Sequence, residues 1–204
     1  MAAQTLATVE VRAAHLGGAH VLGALRFTIA AGETVALRGP SGVGKTTLLR
    51  ILAGLERGFE GTREVTPKSA LMFQEPTLLP WRSAVANVCI ATGCPREVAL
   101  GRLADVGLGD RAEALPTQLS LGQQRRLALA RALAMEPELL LLDEPFVSLD
   151  ADLVAEMQAL IARLCQREDR ALVIVTHSDA ETRALATRVV TLGGTPARIV
   201  SDQP

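Results

Sequence analysis

The chain has 204 residues, 49% of them hydrophobic, enough to build one large domain or two lobes on a shared core. Its 21 Lys and Arg meet 22 Asp and Glu for a formal net charge of −1, so no overall field draws it onto nucleic acid or an anionic membrane surface. No apolar run approaches the roughly 18 residues of a membrane-spanning helix, and the opening MAAQTLATVEVR lacks the charged and apolar regions of a secretory leader.

In chain order, residues 7–33 alternate apolar and polar side chains around glycine pairs, which predicts antiparallel strands joined by turns. TVALR (34–38) reads as a buried strand and runs into Gly39, Pro40, Ser41, Gly42, Val43, Gly44, Lys45, Thr46 and Thr47, after which KTTLLRILAGL is helical. Within it, Gly39-x4-Gly44-Lys45-Thr46 between a strand and a helix is the pattern of a phosphate-binding loop. Bare glycine backbone turns its N–H groups toward phosphate oxygens, and the helix N-terminus adds the positive end of its dipole. Lys45 supplies a point charge for β and γ phosphates and Thr46 a hydroxyl ligand for Mg2+.

SALMF (69–73) is a further buried strand. Residues 76–136, punctuated by Pro76, Pro80, Pro95 and Pro116, carry mainly helical patterns and no strong strand, so they read as an inserted helical lobe. The helix predicted from Gly122 to Met135 opens beside Ser120, where a hydroxyl, free N–H groups and the helix dipole converge on a second anion site.

LLLLD (139–143) then delivers Asp143 and Glu144 at the C-terminal end of a strand, where open α/β sheets bind ligands. Successive strand residues diverge, so the two acids divide the work: Asp143 in the Mg2+ shell, Glu144 as general base toward an attacking water. A helix is predicted over residues 151–168, with Leu153, Met157, Leu160, Ile161 and Leu164 along one face. His177 follows the strand ALVIVT (171–176), placed to hydrogen-bond a γ phosphate or the attacking water. The last predicted strand is RVVTL (188–192). Cys89, Cys94 and Cys165 have no metal or disulfide spacing and are expected to fill the core in a reducing compartment.

These residues resemble those of the ATP-binding cassette ATPases. GPSGVGKTT and LLLLDEP are joined by LSLGQQRR (119–126), similar to that family's signature motif; by Gln74 in MFQEPTLLPWR, similar to its glutamine loop; by SLD (148–150), similar to the loop that meets the opposite subunit; and by His177, which matches the switch histidine. The resemblance implies an α/β fold of P-loop NTPase type with a mostly parallel sheet, an N-terminal antiparallel β subdomain and an inserted helical subdomain. The whole chain is then one domain, 1–75 and 137–204 forming the core and 76–136 the helical part. It also implies ATP and Mg2+ as ligands, catalytic roles for Glu144, His177, Lys45 and Gln74, a metal shell from Thr46, Gln74 and Asp143, and contacts of Ser120, Gly122 and Gln123 with nucleotide. Those last contacts are made in a head-to-tail homodimer, each signature closing on the ATP held by the other copy.

Two departures stand out. Leu121 replaces the first glycine of LSGGQ, and no aromatic residue occupies the place near His15 and Leu16 where one commonly stacks on adenine. FQEPTLLPWRSAVANV and DEPFVSLD look like the nitrate, sulfonate and taurine importer subfamily, which implies a separate integral membrane permease, a periplasmic solute-binding protein and a peripheral position on the cytoplasmic side of the inner membrane. Trp81 suits a groove receiving a short permease helix. No nucleic-acid partner is expected. A soluble non-transport ATPase and an exporter subunit stay open as alternatives.

Overall fold

The structure, a computed structural model, describes residues 4–66, 68–164 and 170–204. Its central layer is a six-stranded sheet in the order β10-β9-β4-β8-β7-β6, formed by β4 (Thr34–Arg38), β6 (Ser69–Met72), β7 (Leu139–Asp143), β8 (Ala171–Val175), β9 (Arg188–Gly193) and β10 (Arg198–Gln203). All neighbours pair in parallel except β10, which runs antiparallel to β9. Both faces of β7 and β8 are covered, which is why their sequences are continuous apolar runs.

The two-residue period of a strand sends alternate side chains into two different cores. Val35, Leu37, Leu139, Leu141, Val173 and Val175 join one cluster with the second sheet and with α1 (Lys45–Leu52). Ala36, Leu140, Leu142, Leu172 and Ile174 join the other with the helices. The second sheet is antiparallel: β1 (Thr5–Leu16) pairs with β2 (Ala19–Leu22) and β3 (Leu25–Ala30) along one edge and with β5 (Phe59–Val65) along the other. Leu25, Phe27 and Ile29 of β3 alternate inward as the sequence pattern predicts.

Residues 76–136 carry α2 (Ala84–Thr92), α3 (Arg96–Asp105), two short 3-10 turns and α4 (Leu121–Leu133), with no strand among them. Beyond β7 come α5 (Ala151–Leu164) and α6 (Asp179–Leu185). Met157, Leu160 and Ile161 bury one face of α5, whereas Leu153 is only half-buried. The side chain of Leu164, residues 165–168 of the predicted helix, and Cys165 lie outside the described residues. Cys89 and Cys94 are free and half-buried against the helical core.

Two strands have no counterpart in the sequence reading. FEGTREV, now β5, and RIVSDQ, now β10, are largely polar and exposed, so no apolar period marks them. Backbone pairing to β1 and β9 orders them, a tertiary effect that overrides local pattern.

Candidate functional site

The loop between β4 and α1 is shaped by contacts that only glycine accepts at two points. Gly44 has φ +114°, and a Cβ there would lie 2.6 Å from a Leu22 methyl. Gly39 has φ +142°, and its Cβ would lie 2.5 Å from the Leu192 carbonyl oxygen. Close packing against β2 and β9 thus curls the loop over the first turn of α1.

Lys45 opens α1, is 5% exposed, and its Nζ donates to the Gly39 and Pro40 carbonyls at 2.9 Å each. Burial lowers its pKa, opposed by the charges of Glu144 and Asp143. Thr46 Oγ1 donates to Asp143 Oδ1 over a long 3.3 Å. Asp143 ends β7, 4% exposed. Burial is the largest influence on it and pushes its carboxyl above the usual range; the Thr46 hydrogen bond pulls back, Glu144 pushes further, and Arg50 and Lys45 pull back.

A carboxyl with a higher pKa in the fold than in the unfolded chain contributes stability that is fully present below the unfolded value and is lost as pH rises through the folded value. Asp143→Asn removes that charge and is expected to raise the melting temperature of the chain without nucleotide at pH 7 by about 2–4 °C. The advantage should shrink as pH falls through the raised carboxyl value and vanish only below the ordinary aspartate range of about 3.9, where the carboxyl is protonated in both folded and unfolded chains. Calorimetry across that range checks it, and a lowered melting temperature at pH 7 would contradict it.

At Glu144 the chain leaves β7 through a left-handed turn, φ +46°, with its N–H bonded to the Val175 carbonyl at 3.2 Å. A non-glycine residue in this region costs about 1 kcal/mol or more, and such strain concentrates at functional sites. The turn aims the carboxylate between two side chains. Oε2 accepts from Gln74 Nε2 at 3.2 Å, and Oε1 lies 2.9 Å from His177 Nε2. A carboxylate only accepts, so the imidazole carries its proton on Nε2. His177 follows β8 directly ahead of α6, whose first turn Ser178 caps by accepting from the Glu181 N–H.

Ser41, Gly42, Gly44, Lys45, Thr46, Thr47, Gln74 and Glu144 line one open cleft of about 360 Å³, with Leu16 and Val21 forming an apolar wall. His15, by contrast, stacks on His20 with ring centroids 4.7 Å apart. A second cavity of about 280 Å³ holds His177, Phe146, Val147 and Thr176, and Glu144 lines both. The fold therefore gathers the glycine loop, Gln74, the adjacent Asp143 and Glu144, and His177 from four separate stretches of chain.

Ser120, Gly122 and Gln123 line neither cavity. Ser120 Oγ accepts from the Gln123 N–H at 3.3 Å while the Gln123 side chain accepts from the Ser120 N–H at 3.0 Å, a capping box that starts α4. Gly122 is buried, and a Cβ there would meet a Leu153 methyl at 3.3 Å. Leu121 stands 43% exposed at the helix tip.

Two residues absent from the sequence reading touch the site's backbone. Arg125 Nη1 donates to the Glu144 and Pro145 carbonyls, and Arg131 donates to those of Pro76 and Thr77. The signal for Arg125 was its spacing: it shares the buried stripe of α4 with Gly122, Ala128 and Leu129, and a charged residue on an apolar face needs a buried partner.

The family model described as ABC transporter matches residues 22–147. The aliphatic sulfonates import ATP-binding protein SsuB 2 of Frankia alni is 52% identical over 180 residues, covering 86% of this chain and 72% of the relative. A SsuB 1 protein of Rhodococcus jostii is 47% identical over 178 residues, covering 84% of this chain and 73% of the relative. Among solved structures, the ATP-binding cassette MJ0796, described as a dimer in a post-hydrolysis state bound to ADP and Pi, superposes with a TM-score of 0.85 at 27% identity, covering 97% of each chain.

Proposed function

The chain belongs to the ABC transporter family, and from that premise we propose that it is the ATP-hydrolysing subunit of a transporter that imports sulfonate-type solutes. One observation carries the chemistry: Glu144 is held between Gln74 and His177 in a cleft shared with Lys45 and Thr46, so a base and a phosphate cradle face the same space.

The loop 39–47 and the start of α1 hold the triphosphate through backbone N–H groups, and Lys45 exchanges its carbonyl partners for β and γ phosphate oxygens. Thr46, Asp143 and Gln74 would hold Mg2+. The donor set fits that ion: the described residues form no metal-holding cluster of three or more His, Cys, Asp and Glu, and among them the buried Asp143 carboxylate has the long bond from Thr46 as its one side-chain hydrogen bond. Mg2+ is characteristically bound by one or two carboxylates together with phosphate oxygens and waters. When bound, it neutralises charge on the β and γ phosphates.

Glu144 takes a proton from a water as the water oxygen attacks the γ phosphorus. The bond from that phosphorus to the bridging oxygen breaks, and ADP and inorganic phosphate result. With both carboxylate oxygens already hydrogen-bonded, the remaining lone pairs orient the water, and His177 keeps the carboxylate turned toward the cleft.

Ser120, standing outside the cleft of its own chain, serves the nucleotide of a second copy in a head-to-tail homodimer; the dimeric neighbour with ADP and Pi supports this. No helix among the described residues is long and apolar enough to cross a membrane; the relatives' role in import supports pairing with an integral membrane permease. Trp81 is 70% exposed just beyond the Gln74 loop, which suits docking of a permease helix on the cytoplasmic face of the inner membrane. A periplasmic solute-binding protein would complete the system. Reconstituted in vesicles with its permease and binding protein, the chain is expected to drive ATP-dependent inward accumulation of a short alkanesulfonate. Outward movement, or hydrolysis indifferent to the permease, would overturn the importer reading.

A further inference from the structure

Helix α4 reaches both loops that carry the Glu144 and Gln74 side chains, and it does so with two arginines. Arg125 is 3% exposed and gives Nη1 to the Glu144 carbonyl at 3.3 Å and the Pro145 carbonyl at 3.0 Å. Arg131, six residues on, gives Nη1 to the Thr77 carbonyl at 2.9 Å, and Nη2 to the Pro76 carbonyl and the Thr77 hydroxyl at 3.0 Å each. Six residues separate the two side chains by about 9 Å along the axis and about 120° around it, so one helix serves two loops on different sides.

Both targets are strained. The described residues include four non-glycine positions with positive φ, and two of them, Glu144 and Thr77 at +46° each, are the residues whose carbonyls these guanidinium groups hold. The loops in turn meet each other through the Gln74 to Glu144 hydrogen bond, so helix, loops and side chains close a circuit. Arg125 also keeps Nε buried without a partner. An arginine left partly unsatisfied is a poor choice for filling space, where an apolar side chain of similar length would serve.

We propose that Arg125 and Arg131 are positioning residues: Arg125 holds the turn at Glu144 and Pro145, and Arg131 holds Pro76 and Thr77 of the loop that begins at Gln74, so that both side chains reach the reacting water. The inference rests on the assignment of Glu144 as general base. Neither arginine touches nucleotide; each acts through the backbone it holds, and α4 thereby ties its Ser120 tip to the chain's own catalytic loop.

The test measures ATP turnover of the full chain with Mg2+ for Arg125→Met, which keeps bulk but no donors, and Arg125→Lys, which reaches a single carbonyl. Misplacing a reacting group by a fraction of an ångström lowers kcat about ten- to a hundredfold, and KM for ATP should stay within about twofold. Arg125→Lys should retain more turnover than Arg125→Met. In a Glu144→Gln background the same substitutions should change the residual rate by less than about twofold, because the group they position is already gone. Equal losses in both backgrounds, or unchanged kcat with only a lowered melting temperature, would overturn the inference. Should the buried substitutions prevent folding, Arg131→Met, at a half-buried position, gives the same reading against Gln74→Ala. A Glu144→Gln chain that hydrolyses ATP like the parent would instead remove the underlying base assignment, a separate outcome.

Discussion

Glu144→Gln lowers steady-state ATP hydrolysis by about a thousandfold while leaving the affinity for ATP within about twofold. The substitution keeps the size and planarity of the side chain and exchanges one acceptor oxygen for an amide. His177 Nε2, 2.9 Å from Oε1, and Gln74 Nε2, 3.2 Å from Oε2, both donate to the carboxylate, so the amide breaks one of these bonds and cannot take a proton from water at all. In the proposed mechanism nucleotide binding rests on other groups: the loop N–H donors, Lys45 and Thr46, which line the same cleft. Single-turnover and equilibrium binding measurements separate the two effects. Turnover within threefold of the parent would mean that the proton goes elsewhere.

Lys45→Ala acts on the other half of the problem. It removes the only ammonium among the described residues lining the cleft, and the loss of a charge-assisted contact to phosphate weakens ATP binding about tenfold or more. Ser120→Arg places a long side chain at the tip of α4 and removes its cap, which costs about 1 kcal/mol of stability and obstructs the second nucleotide contact. Each variant alone should be nearly inactive. Mixed, the two restore activity, since a dimer of one chain of each kind combines the intact loop of the Ser120 variant with the intact α4 tip of the Lys45 variant. A rate that equals the average of the separate variants at every mixing ratio would exclude composite sites.

How much of this was legible in the chain follows from which forces leave local traces. The glycine loop and the apolar run ending in Asp143 and Glu144 carry their chemistry in consecutive residues, and β4, β7 and β8 each hold an unbroken apolar run because both faces are covered there. His177 was readable from the strand before it. Gln74 was readable only by resemblance, because one glutamine after a strand has no chemistry that its spacing announces; Ser120 was readable as an anion site at a helix tip, but its assignment to the nucleotide of a second copy came only by resemblance. The polar strands β5 and β10 left no periodic pattern, since pairing to a neighbour rather than burial orders them. Nor does the sequence announce that Glu144 adopts φ +46°, or that Arg125 reaches its carbonyl; both depend on how α4 packs beside β6 and the loop that follows β7. Arg125 shows the general case: its spacing marks it as buried, but which carbonyls it meets is a property of the packed molecule.

The proposal that two copies enclose ATP between the loop of one and the α4 tip of the other is tested most directly by the mass of the Glu144→Gln chain in solution, measured by light scattering with and without ATP. With saturating ATP the mass should be that of two chains holding two nucleotides, reverting to one chain when ATP is removed. A mass of one chain at saturating ATP, in the presence of the permease as well as alone, would contradict it.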